Sequence, residues 1–415
     1  MNKPEKYNNT DKDMFFEKAA KVFSSGMVDM IKSQGFCFLE NKREGAYVSD
    51  TDGISYIDCY TSEATYNLGR RNPKLAACLK KAIHETDQGN FVMLSEEKAL
   101  LARKISEFIP GPLECVLYGV TRGESMEAAC KLARGFTERP ELVTVDGGSY
   151  GDGGFAISLS ARNDKKDFGE LIPAVKIVPF GDINAAKASI GSKTAAFILE
   201  PVQAENGCRE ANSEYLRQLR SLCDKSGAKL IFDESQTGFG RTGKKFAFEN
   251  AGIYPDILVI GEAITGGMFP MTAMVFTKEL KNLFDVHPLI HLCTFGGHDI
   301  GCRVAMTALD EYEYVKPWEN ADVMGRRLIN DLKGIVSEYK DGKISVSGKG
   351  LLISMSFASE NSAREFCNQA VKNGVLLKQG KVDGRSVVMR PVLTISETEI
   401  DMLLNGVKKA LKGME

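Results

Sequence analysis

Between residues 114 and 276, six short apolar runs alternate with amphipathic stretches, and no other feature restricts the possible folds as strongly. The runs cover 114–118, 142–146, 195–199, 229–232, 257–260 and 272–276. Segments of this length with near-continuous apolar character suit strands covered on both faces. Helix candidates lie between them, notably 124–135 and 213–227; the second sets Leu216, Leu219, Leu222 and Cys223 on one face and has Gly227 as its stop. Strands separated by helices call for right-handed crossovers. The expected fold is therefore α/β, a mostly parallel sheet whose ligands bind at the carboxyl ends of the strands.

The flanking segments differ. Residues 13–24 carry apolar groups at helical spacing, and 46–50 and 54–58 form a hairpin about the Asp52-Gly53 turn. Ser95, followed by Glu96 and Glu97, reads as the N-cap of a helix running to about 109. Beyond 316 come a long helix (323–339), an alternating strand (353–357), a helix near 363–373 and a closing amphipathic helix (396–412). We expect an N-terminal segment, 1–75, that joins a C-terminal small α/β domain, 316–415, with a large domain, 76–315, between them; 415 residues suit such a division.

A net charge of -2 supplies no field for nucleic acid or anionic membrane, so neither partner is expected. Ten cysteines are scattered singly with no C-x-x-C pair, which favours reduced thiols in a cytoplasm over disulfides or a zinc site. Residues 1–12 are polar and lack the apolar run of a signal peptide. His291 and His298 are close in sequence, but no third ligand is spaced with them, and no metal is expected.

Four stretches carry the chemistry. Glu262 ends the run 257–260 and is followed by Gly266-Gly267, a strand delivering a carboxylate to flexible backbone. Asp233 ends the run 229–232, where a partly desolvated carboxylate needs a cationic or N–H partner. Thr121-Arg122-Gly123-Glu124 follows a strand and opens a helix, so its free N–H groups either favour a phosphate or form a plain N-cap and turn. Ser149-Tyr150-Gly151-Asp152 follows the next strand.

The segment Asp233-Glu234-Ser235-Gln236-Thr237-Gly238-Phe239-Gly240-Arg241-Thr242-Gly243 resembles the core of the class-III aminotransferases, pyridoxal-phosphate (PLP) enzymes of fold type I. Leu199-Glu200-Pro201-Val202-Gln203-Ala204-Glu205-Asn206-Gly207 and Thr294-Phe295-Gly296-Gly297-His298-Asp299 are similar to two further family motifs. The resemblance spans about residues 13 to 412, in the order of the aminomutase-like branch typified by glutamate-1-semialdehyde aminomutase. It implies a large domain with a mostly parallel sheet and a small domain drawn from both chain ends. It also implies that Thr121, Arg122 and Gly123 cup the cofactor phosphate, that Tyr150 stacks on the pyridine ring, that Asp233 faces the ring nitrogen and that Gln236 lies near the 3-oxygen. Thr294 would reach the phosphate of a neighbouring subunit, giving a homodimer with shared sites. Glu205 and Arg390 would stand on the substrate side, although Arg390-Pro391-Val392-Leu393-Thr394 places its arginine two residues away from the family position.

Among the departures from the pattern, Arg122 replaces a glycine, Gly151 a histidine, Ser235 an apolar residue that packs on the ring, and Glu262 the lysine that holds PLP as a Schiff base. A carboxylate forms no imine but does move protons. Three readings follow. In the first, PLP or its amino form PMP binds noncovalently and Glu262 shuttles a proton to the amino or carbonyl group of a small amine, amino acid or carbonyl substrate. In the second, a catalytically silent relative keeps the fold as a binding or partner subunit. In the third, a cofactor-free enzyme reuses the pocket. Glu262 pairing with Arg122 is the structural alternative to its acting as a base, and Lys244 or Lys278 could replace the missing lysine.

Overall fold

The computed structural model describes residues 12–90, 92–339 and 343–415. The polar start, 1–11, falls outside the described residues. A seven-stranded sheet forms the centre, in the spatial order Leu113–Gly119, Thr272–Thr277, Ile257–Ile260, Lys229–Asp233, Thr194–Leu199, Glu141–Val145 and Val175–Val178. Thr272–Thr277 runs antiparallel to both its neighbours, and the remaining pairs are parallel. Continuous burial of Ile257–Ile260 and Thr194–Leu199 explains their unbroken apolar sequence, since helices cover both faces.

The helices Arg122–Thr137 and Ser213–Ser226 match expectation, the latter closed by Gly227 in the left-handed region (φ 72). The long C-terminal helix begins earlier than expected, at Pro317–Glu338, because proline at its first turn fits the helical φ and needs no N–H partner. A second four-stranded sheet, Ser345–Lys349, Leu352–Ser356, Ser386–Met389 and Lys378–Gln379, is antiparallel throughout. The two chain ends meet where Val375–Leu376 pairs in parallel with Ser55–Asp58, and Ala46, Ile57 and Cys59 share a core with the closing helix Glu397–Lys412. Among the described residues no helix is long and apolar enough to cross a membrane, and no group of three potential ligands could hold a metal ion.

Candidate active site

Both central strands end in a carboxylate at the same edge of the sheet. Ile257–Ile260 leads through Gly261 into the short 3-10 turn Glu262–Thr265, and Lys229–Asp233 ends in Asp233 itself. Gly261 is required here: a Cβ would lie 2.6 Å from the Ser235 carbonyl oxygen, so only glycine lets the two strand ends approach. The helix Arg122–Thr137 opens opposite them, with Thr121 as N-cap; the Thr121 hydroxyl accepts from the Glu124 N–H at 3.4 Å and Glu124 Oε2 accepts from the Val120 N–H at 2.7 Å. Together these elements border a cavity of about 1800 Å³ whose wall includes Thr121, Arg122, Gly123, Gln236 and Glu262.

Arg122 decides the electrostatics. Its Nε donates to Asp233 Oδ2 at 2.9 Å and its Nη2 donates to Glu200 Oε1 at 3.3 Å, with Asp233 almost fully buried. The other oxygen of Asp233 accepts from the Ser235 N–H at 3.0 Å and from the Ser235 hydroxyl, so both are engaged. Burial works against the charge of Arg122, but Asp233 and Glu200 outweigh it and hold the guanidinium protonated, above its ordinary range. Burial pushes Glu200 up to about 8, against the opposing pull of Arg122.

Glu262 turns toward the helix start. Its Oε1 accepts from the backbone N–H of Arg122 at 3.3 Å, placing a carboxylate against the positive end of the helix dipole. Of the expected pairing between Glu262 and Arg122, the backbone takes the hydrogen bond and the guanidinium goes to Asp233 and Glu200. Burial still raises the Glu262 pKa, with the Arg122 N–H and guanidinium pulling the other way.

Tyr150 lies off the cavity wall. Expected to face a ring in the pocket, it is fully buried in the core, its hydroxyl 3.0 Å from Thr144 Oγ1 and its N–H donating to Ser160 Oγ. It is absent from the cavity wall, where Ser149 and Gly151 stand instead. Gly151 has φ +111 and a Cβ there would lie 2.6 Å from Gly123 Cα, so this backbone excludes the histidine of the family pattern. Glu205 and Arg390, expected beside a substrate, bind each other: Arg390 Nη2 donates to Glu205 Oε1 at 2.6 Å with both side chains 2% exposed. Gln236 Nε2 also donates to Glu205 Oε1, at 3.2 Å, and the buried Gln236 Oε1 has no hydrogen-bond partner. Thr294 is exposed on a turn and does not line the cavity of its own chain. Lys244 and Lys278 are exposed and stand outside the cavity wall.

Sequence reasoning assigned no role to Glu200, Glu63, Lys378 or Lys381. Glu200 had a signal, since it follows the buried strand Thr194–Leu199 as Asp233 ends its own. Glu63 had none. Residues Thr61, Ser62, Glu63 and Ala64 form a left-handed turn (φ 45, 49, 61 and 69), a conformation costing about 1–2 kcal/mol per L-residue. Asp58 Oδ1 accepts from the N–H groups of Tyr60 and Thr61, and the Thr61 hydroxyl donates to the Arg390 carbonyl at 2.7 Å. The turn thereby sets Glu63 on the cavity wall 2.6 Å from Lys381 and 3.8 Å from Lys378. Burial alone would raise Glu63, but Lys381 and Arg390 hold it down at about 2.

The family model for aminotransferase class-III matches residues 30–411. The chain is 32% identical over 397 residues to an uncharacterized aminotransferase of Archaeoglobus fulgidus, covering 96% of this chain and 93% of that one. It is 32% identical over 373 residues to a putrescine aminotransferase of Pectobacterium atrosepticum, covering 88% and 80%. Among solved structures, the ornithine aminotransferase of Toxoplasma gondii ME49 superposes with a TM-score of 0.91 at 23% identity over 98% of this chain and 96% of that one. An (S)-enantioselective omega-transaminase of Thermomicrobium roseum gives 0.84 at 26% identity over 91% and 92%.

Proposed function

We propose that this chain, which belongs to the class-III aminotransferase family and has the fold of PLP-dependent aminotransferases of fold type I, has left the family's lysine-based cycle and serves as a catalytically silent binding or partner subunit. PLP would require an amine after strand Ile257–Ile260, a carboxylate free to face the ring nitrogen, and an open anion seat at the start of helix Arg122–Thr137. Here the first position is Glu262, the carboxylate Asp233 is engaged by Arg122 and Ser235, and the seat already faces the carboxylate of Glu262. The residues present do not fit PLP or PMP in this arrangement. The Arg122–Asp233 ion pair carries the proposal.

Absorption spectra of the purified protein titrated with PLP and with PMP, followed by borohydride reduction and peptide mass mapping, test it. The expected result is no saturable spectral change and no adduct on the cavity wall. A saturable change with either cofactor would sink the silent reading. It would favour noncovalent binding instead, with Glu262 moving a proton at the amino or carbonyl group of a small substrate. Two observations support that second reading: Glu262 has a raised pKa, and Gln236 presents an unpartnered buried oxygen at the cavity wall. The motif order resembles the aminomutase-like branch, whereas the curated relatives carry aminotransferase names. The substrate class therefore stays at small amines, amino acids or carbonyl compounds.

We also place Thr294 at a subunit boundary. Leu289, Leu292 and Phe295 beside it are about half exposed or more in the single chain, an apolar surface that a second copy would cover. Sedimentation equilibrium is expected to give a dimer; a monomer throughout the micromolar range would remove the shared-site arrangement.

A further inference from the structure

We infer that Arg122 and Glu262 supply from within the chain the charges a cofactor would bring, and that these two side chains alone bar PLP from a pocket otherwise able to take it; the inference rests on the silent reading above. Arg122 sets a cation on Asp233, and Glu262 sets an anion on the first N–H of the helix Arg122–Thr137. A ligand carrying a cationic ring and an anionic phosphate meets both partners already satisfied, and breaking a buried ion pair to admit it is unfavourable. The rest of the wall leaves room for a ligand. Gln236 and Ser235 stand on its wall, Gly123 and Gly151 leave bare backbone beside the helix start, and the cavity exceeds the size usual for a small-molecule site. Arg122 is not among the residues of positive φ, so the local backbone accepts other residues at that position without strain.

The bar is therefore local and reversible. Four proteins decide it: the parent, Glu262→Lys, Arg122→Gly, and the double variant Arg122→Gly/Glu262→Lys. Each is incubated with PLP, measured by equilibrium dialysis, reduced with borohydride and mapped by peptide mass at position 262. Glu262→Lys alone is expected to show little adduct there, because Arg122 still holds Asp233. Arg122→Gly alone should bind PLP only weakly and without adduct at position 262, because Glu262 still occupies the helix N–H. The double variant should carry roughly tenfold or more adduct at position 262 than Glu262→Lys at the same PLP concentration. Equal adduct with and without Arg122 would overturn the inference, and so would a folded double variant that carries none. If the glycine variants do not fold, Arg122→Gln/Glu262→Lys removes the charge while keeping hydrogen-bond donors, and the same outcomes apply to it. PLP binding by the parent would instead defeat the silent reading, so the two failures are distinct.

Discussion

Replacing Arg122 by leucine is expected to lower the unfolding free energy by about 3–5 kcal/mol at neutral pH, the usual penalty for removing one partner of a buried ion pair. Asp233 would be left with Ser235 alone, and Glu200 with the Ser149 N–H at 2.9 Å. The penalty should grow with pH. Glu200 titrates in the fold at about 8 against an ordinary 4.5, so the folded state holds a proton that the unfolded chain releases. Its contribution is complete below the ordinary value and is lost as pH rises through about 8. Arg122 opposes this shift, so without it the loss on the alkaline side should steepen. Urea unfolding of parent and variant at mildly acid and alkaline pH measures both effects. A variant within about 1 kcal/mol of the parent at every pH would show that the pair contributes little.

The second large effect concerns Glu205 and Arg390, and it is asymmetric. Arg390 lies near Arg241, which burial and then the Arg390 charge push down to about 9. Glu205→Gln removes the ion-pair partner of Arg390 and leaves its buried guanidinium uncompensated near that of Arg241. Arg390→Met relieves Arg241 and leaves Glu205 with the Gln236 amide and the Lys381 N–H at 2.9 Å. We expect Glu205→Gln to cost about 3–5 kcal/mol and Arg390→Met roughly half of that. Equal losses in the two variants, read from urea midpoints, would mean that the Arg241 repulsion has no weight.

The central strands of the large sheet were legible because they are buried on both faces, so their apolar runs stand out from the sequence. Val175–Val178 was missed for the converse reason: it lies at the sheet edge with Lys176 and Ile177 exposed, and its four residues give no continuous run. The end of strand Ile257–Ile260 could be placed from local pattern alone, and Glu262 is on the cavity wall.

The direction of Arg122 could not be read. The sequence set it at a phosphate cup or against Glu262, and the structure sends its guanidinium to a carboxylate 111 positions away, a pairing that only the sheet order creates. Glu205 and Arg390 met the same obstacle; each was chosen as a separate substrate contact, and 185 positions of chain concealed that they neutralise each other. Tyr150 was placed from its neighbours in sequence, but Thr144, in the preceding strand Glu141–Val145, offers the hydroxyl a buried partner.

All of this turns on what Asp233 touches. A crystal structure of the unmodified protein grown with millimolar PLP reads it directly. The predicted result is the Arg122 guanidinium within hydrogen-bond distance of both Asp233 and Glu200, with Glu262 on the Arg122 N–H and no ring between them. A pyridine ring resting on Asp233, with Arg122 turned out into the cavity, would contradict the account.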